Sequence, residues 1–97
     1  MFFRRRKQQS WQYEIHLEVQ LEHTNKLLAR STTMGAKDVD KSPTVRHHVD
    51  RMICEAQFIR KKFPAYKSAP MRVVVYRVNG DKLEEVAATY KITVTAG

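Results

Sequence analysis

The stretch Trp11–Glu22, WQYEIHLEVQLE, sets the architecture of this chain. Trp11, Tyr13, Ile15, Leu17, Val19 and Leu21 hold every second position, and Gln12, Glu14, His16, Glu18, Gln20 and Glu22 fill the gaps without exception. Successive side chains of an extended backbone point to opposite sides, so the pattern predicts a strand with one dry face and one wet face. Wound as a helix, the same apolar residues would be smeared round the whole circumference.

Working outward, Thr24–Arg30 (TNKLLAR) either prolongs this strand or turns into a short helix with Leu27 and Leu28 tucked inward. Ser31–Lys41 (STTMGAKDVDK) is small, polar and without a period, which predicts a long loop. Ser42 and Pro43 then announce a helix, because serine at the N-cap accepts from an orphan amide and proline at the first helical position lacks an N–H that would have no partner. The apolar residues Val45, Val49, Met52, Ile53, Ala56, Ile59 and Phe63 fall on one helical stripe. Lys61 and Lys62 suit the helix C-terminus, and Pro64 ends it, since the residue before proline avoids the α region.

Met71–Val78 carries three consecutive valines, Val73, Val74 and Val75, and predicts a central strand. Asn79-Gly80 is a strong hairpin signal. Val86, Ala88, Tyr90, Ile92 and Val94 then alternate with Ala87, Thr89, Lys91, Thr93 and Thr95 as a further half-buried strand.

The expected fold is α+β, a three-stranded, mainly antiparallel sheet of order β-α-β-β packed against one long amphipathic helix. Residues 1–10 form a flexible basic arm and 11–97 a single domain. A right-handed crossover would set the first two strands parallel. The far side of the sheet would then be uncovered, showing Glu14, Glu18 and Glu22 beside Val73 and Val75, and a second copy could close part of it.

Composition narrows the function classes. The 97 residues are 42% hydrophobic, enough for one modest core, and the mean hydropathy of −0.55 fits a soluble chain. No apolar run is long enough to span a membrane. MFFRRRKQQS is basic but leads into a strand with glutamates, so a secretory signal is not expected, whereas an organelle transit segment stays open. The single Cys54 cannot make an internal disulfide, which fits a reducing, cytoplasmic setting.

The net charge of +8 is unevenly placed: residues 1–10 carry four basic groups and no acid, and residues 44–70 carry six against two. Clustered charge favours a polyanionic partner, because local potential and counterion release scale with local charge. Phosphate-gripping candidates are Arg4, Arg5, Arg6 and Lys7 in the arm, and Arg60, Lys61, Lys62 and Lys67 around the helix end. His47, Asp50, Arg51, Cys54, Phe58 and Lys61 share the outer side of the helix. There Arg51 could hold phosphate and Phe58 could stack on a base or fill a partner's pocket, unless Phe58 instead covers the Ser31–Lys41 loop.

His47, Asp50 and Cys54 have metal-compatible spacing but no supporting ligand segment, so neither metal nor cofactor is expected. There is no nucleophile elbow, phosphate-cradling glycine loop or opposed pair of acids, so an enzyme is not expected either.

The run YRVNGDKLEEVAATYKITV, Tyr76–Val94, resembles the first half of a LysM module through Gly80, Asp81, Leu83, Val86, Ala87, Tyr90, Thr93 and Val94. That resemblance implies binding of N-acetylglucosamine polymers, although the turn is one residue short and the module's second half is missing. Leu83–Ile92 also looks like the first helix and turn of a helix-turn-helix, again without a recognition helix. Both resemblances imply that residues 82–90 are helical. The expectation drawn from the charge pattern is a small non-enzymatic protein that binds DNA or RNA non-specifically in an accessory or regulatory role. The alternative is a protein-binding module or virus-encoded inhibitor acting as a homo-oligomer on an acidic protein.

Overall fold

The computed structural model describes residues 10–85 and 90–92. Within them the order is β1 (Ser10–Leu21), β2 (Thr24–Ala36), α1 (Pro43–Lys62), β3 (Met71–Asn79), β4 (Lys82–Glu85) and β5 (Tyr90–Ile92), with 3₁₀ turns at Val39–Lys41 and Pro64–Tyr66. The sheet is ordered β2-β1-β3-β4, β5 also pairs with β3, and every pairing is antiparallel. The helix packs on one face of this sheet, chiefly over β1 and β2.

Two expectations are corrected at the first hairpin. Thr24–Ala36 is one continuous strand, so the loop expected from Ser31 begins only after Ala36, and Leu27 is 51% exposed instead of turned inward. Leu21 pairs with Thr24 across a two-residue turn in which Glu22 and His23 have φ of 50° and 70°. Positive φ at both central residues is the geometry that lets a tight turn follow the twist of its strands. Because this hairpin reverses the chain before the helix, β1 and β3 are antiparallel, not parallel as expected. The parallel pair is β2 and β3, each antiparallel to β1, which lies between them.

The helix is as expected at both ends. Ser42 Oγ accepts from Val45 N at 3.4 Å, Pro43 opens the first turn, and the Phe63 amide donates to the Ile59 carbonyl at 2.8 Å. Val45, Val49, Met52 and Ala56 are buried against Tyr13, Ile15, Leu17 and Val19 of β1 and Met71, Val73 and Val75 of β3, with Ile53 and Ile59 on the flanks. Phe63, expected to close this stripe, is 47% exposed, since the chain has left the helix at that residue and its ring lies edge-on to Tyr66.

The start of α1 is fastened to the end of β2. Tyr13 Oη donates to the Ala36 carbonyl at 2.6 Å, the Ala36 amide donates to Ser42 Oγ at 3.3 Å, and Thr44 Oγ1 donates to the Met34 carbonyl at 2.7 Å. Gly35 makes this approach possible: a Cβ there would stand 2.6 Å from Ser42 Oγ and 2.8 Å from Val45 Cγ2.

At the second hairpin Asn79 pairs with Lys82, so the two turn residues are Gly80 and Asp81, one position later than the Asn-Gly signal suggested. Gly80, with φ of 67°, occupies the first turn position. Residues 82–85 and 90–92 are strands, which overturns the helix implied by both the LysM and helix-turn-helix resemblances. The expected last strand is thus present at 90–92, while 86–89 and 93–97 lie outside the described residues.

Candidate nucleic-acid interface

Helical geometry places the residues opposite the Val45, Val49, Met52 and Ala56 stripe on the outside of the molecule. His47, Asp50, Arg51, Cys54, Glu55 and Phe58 line a shallow groove along that outer side, and all six are exposed. Phe58 is 55% exposed. It cannot cover the Ser31–Lys41 segment, most of which is strand β2, so the structural role considered for it falls away. One face of its ring carries a cation: Lys62 Nζ lies 5.4 Å from the ring centroid.

The cations of this surface differ in what already holds them. Arg51, Lys61, Lys62 and Lys67 are exposed. Arg46 is spent within the helix, its Nε 3.4 Å from Asp50 Oδ1. Arg60 is half-buried and its guanidinium donates to the Ala69 carbonyl at 3.1 Å, pinning the connector between α1 and β3. The structure thus gathers Arg51, Phe58, Lys61 and Lys62 on one helix, and Lys67 follows on the connector beyond the helix end. Arg4, Arg5, Arg6 and Lys7 lie outside the described residues.

The open face of the sheet holds a second constellation that the sequence reading missed. Val73 and Val75 were expected there; they face the helix instead, and Val74 is the valine on the open side. Around it, Arg72 Nε donates to Glu18 Oε1 at 2.8 Å and Tyr76 Oη donates to Glu18 Oε2 at 3.4 Å. His16 Nε2–H donates to Glu14 Oε1 at 2.9 Å, and its ring centroid is 4.7 Å from that of Tyr76. Burial, and then the charges of Glu18 and Glu85, raise the Tyr76 pKa. The hydrogen bond to Glu18 raises that of Arg72. The strict alternation of β1 was the available signal, since it puts Glu14, His16 and Glu18 on one face, but the partners became visible only with the β1–β3 register.

On the helix side of the sheet, Arg77 lies over the Trp11 ring, 4.2 Å from its centroid, and donates to Glu84 at 2.6 Å. Hydrogen bonds from Asn79 and Arg77 hold the Glu84 carboxyl below its usual range. His48, on the flank of α1, shares a 2.7 Å hydrogen bond with Ser31 of β2. Desolvation lowers its pKa, and the neighbouring His47 and Arg51 lower it further.

Among the described residues no three His, Cys, Asp or Glu side chains are placed to hold a metal ion, and no helix is long and apolar enough to cross a membrane. No protein-family model matches the chain, and no curated protein or solved structure matches it.

Proposed function

We propose that this chain is a small, non-enzymatic nucleic-acid-binding protein that grips phosphates without sequence preference through the outer side of α1, the connector after it, and the basic arm. The observation that carries the proposal is Phe58, 55% exposed on the same helix as the exposed cations Arg51, Lys61 and Lys62. An aromatic ring flanked by cations offers a stacking surface for a base while the cations meet the backbone. Sequence supports it further: between Ala56 and Gly80 there are six basic residues, Arg60, Lys61, Lys62, Lys67, Arg72 and Arg77, and no acid. Arg60, Arg72 and Arg77 stabilise the fold through the bonds described above, which leaves Lys61, Lys62 and Lys67 for a ligand.

The test is fluorescence anisotropy with labelled single-stranded DNA, single-stranded RNA and duplex DNA over a range of salt. Affinity should fall steeply with salt, with a log-log slope of about −0.9 per neutralised phosphate on the duplex and about −0.7 on a single strand. Lys61→Glu with Lys62→Glu should flatten that slope by about two contacts. Phe58→Ala should weaken single strands more than duplex, because only an unpaired base can stack on the ring. Absence of binding to all three polymers at low salt would overturn the proposal.

A further inference from the structure

The two edges of the sheet are built differently. On the β3 side, the edge among the described residues is made of β4 with four residues and β5 with three. On the other side it is β2, a single strand of 13 residues whose one neighbour among the described residues is β1. Protein sheets usually blunt such an edge with proline, a short strand, a covering element, a bulge or charged side chains, and the charges of β2, Lys26 and Arg30, lie toward its hairpin end. β2 has no proline, and its one register shift, opposite Leu17/Glu18, lies near the hairpin end. From Ala29 to Ala36 its pairing with β1 is unbroken. Every second residue of that run turns its backbone N–H and C=O away from β1.

The charge of this edge selects its occupant. From His23 to Lys37 the chain carries Lys26, Arg30 and Lys37 and no carboxylate. Lys26 and Arg30 are exposed, and Met34, on the same face as Arg30, is 53% exposed. A second copy of this chain would add an edge that is itself basic and free of carboxylates, with no acid to offer Lys26 and Arg30. An acidic strand meets them with the opposite sign.

We propose that β2 is an acceptor edge on which an extended acidic segment of a partner protein adds as a further strand. Backbone hydrogen bonds along Ala29–Ala36 supply the attachment. Acids on the face that meets Arg30 supply the choice of partner. This site is separate from the outer side of α1, on the opposite side of the helix from its sheet-packed face, so its success or failure is independent of nucleic-acid binding.

The decisive measurement is amide hydrogen exchange on the full chain with a peptide of about ten residues alternating valine and glutamate, long enough to pair with the regular part of the edge. The outward amides of β2 should exchange quickly in the free protein and become protected when the peptide is added. The same peptide N-methylated at alternate residues keeps its charge and shape but loses its donors, and it should give no protection. A valine–lysine peptide should not bind. Arg30→Glu should weaken the valine–glutamate peptide by about fivefold, as expected for one attractive cross-strand pair turned repulsive.

Equal binding of the N-methylated peptide would overturn strand addition. Protection that rises with protein concentration alone would assign the edge to a second copy. Protection of the same amides by oligothymidylate but not by peptide would assign it to nucleic acid. Any of these three outcomes sinks the proposal.

Discussion

Val74 and Val75 are neighbours in β3, and both are 0% exposed, yet they are buried by different means. Val75 points at α1 and belongs to a cluster of aliphatic side chains from two layers. Val74 points to the other side, where no helix lies among the described residues. There its cross-strand partner is His16, and its neighbours along the strand on that face are Arg72 and Tyr76. Among the described residues, one face of the sheet is covered by another element, and the other carries polar side chains tied to one another. Glu18 is central to that cover, accepting from both Arg72 and Tyr76. A long side chain can shield apolar surface with its stem while its charged end stays wet, and a shared acceptor holds two such stems in place.

The same deletion made on each side separates these two kinds of burial. Val75→Ala removes two methyl groups from a core that can relax little, and should cost about 2–3 kcal/mol by urea unfolding. Val74→Ala removes the same atoms beneath side chains that can settle into the space, and should cost about 1 kcal/mol. Equal losses would mean that the polar cover is as rigid as the helix-backed core, and the distinction between the faces would go.

The dry face was legible in the sequence. Alternation along Trp11–Glu22 named Tyr13, Ile15, Leu17 and Val19 as its residues, and the helical spacing from Val45 named what packs on them; all of these but the flanking positions are buried. The open face was not legible, because its contacts depend on which strand lies beside β1 and in what register. Three valines in a row leave open which of them face the helix. The hairpin that settles the topology also carries no usual signal. Glu22 and His23 adopt positive φ without glycine or asparagine, so the turn between β1 and β2 was invisible and Ser31–Lys41 read as a loop. Thr32 and Thr33 are good strand formers, but without an apolar alternation only their pairing with Glu14 and Tyr13 of β1 shows them to be in a strand. For the candidate interface, helical period alone placed Arg51, Phe58 and Lys61 together, but not that Arg60 would be consumed by the Ala69 carbonyl.

A smaller effect tests the cover itself. Glu18→Ala leaves Arg72 and Tyr76 without their shared acceptor. Because the Arg72 side chain is 40% exposed and therefore partly screened, the loss should be about 1 kcal/mol. The more telling readout is the Tyr76 phenol. Its pKa is raised first by burial and then by the Glu18 charge, so ultraviolet titration of the variant should show this tyrosine ionising at lower pH than in the wild type. An unchanged titration would mean that the phenol is set without Glu18, with no part for that glutamate in organising the face.

The smallest expected effect lies where the dry face meets β2. His48 on α1 shares its hydrogen bond with Ser31 on β2. Its pKa is held below the ordinary value of about 6.5, first by desolvation and then by the charges of His47 and Arg51. The folded protein therefore binds the His48 proton less readily than the unfolded chain does. The stability linked to this difference is fully present above the unfolded value and is lost as pH falls through the folded one. Urea unfolding at roughly pH 7.5 and roughly pH 5.5 should show wild type losing more stability on acidification than His48→Gln, which has no proton to gain at that position. The two profiles would run parallel if the helix flank tolerated the charged imidazole as well as water does. In that case the junction between α1 and β2 would behave like the wet open face instead of an extension of the core.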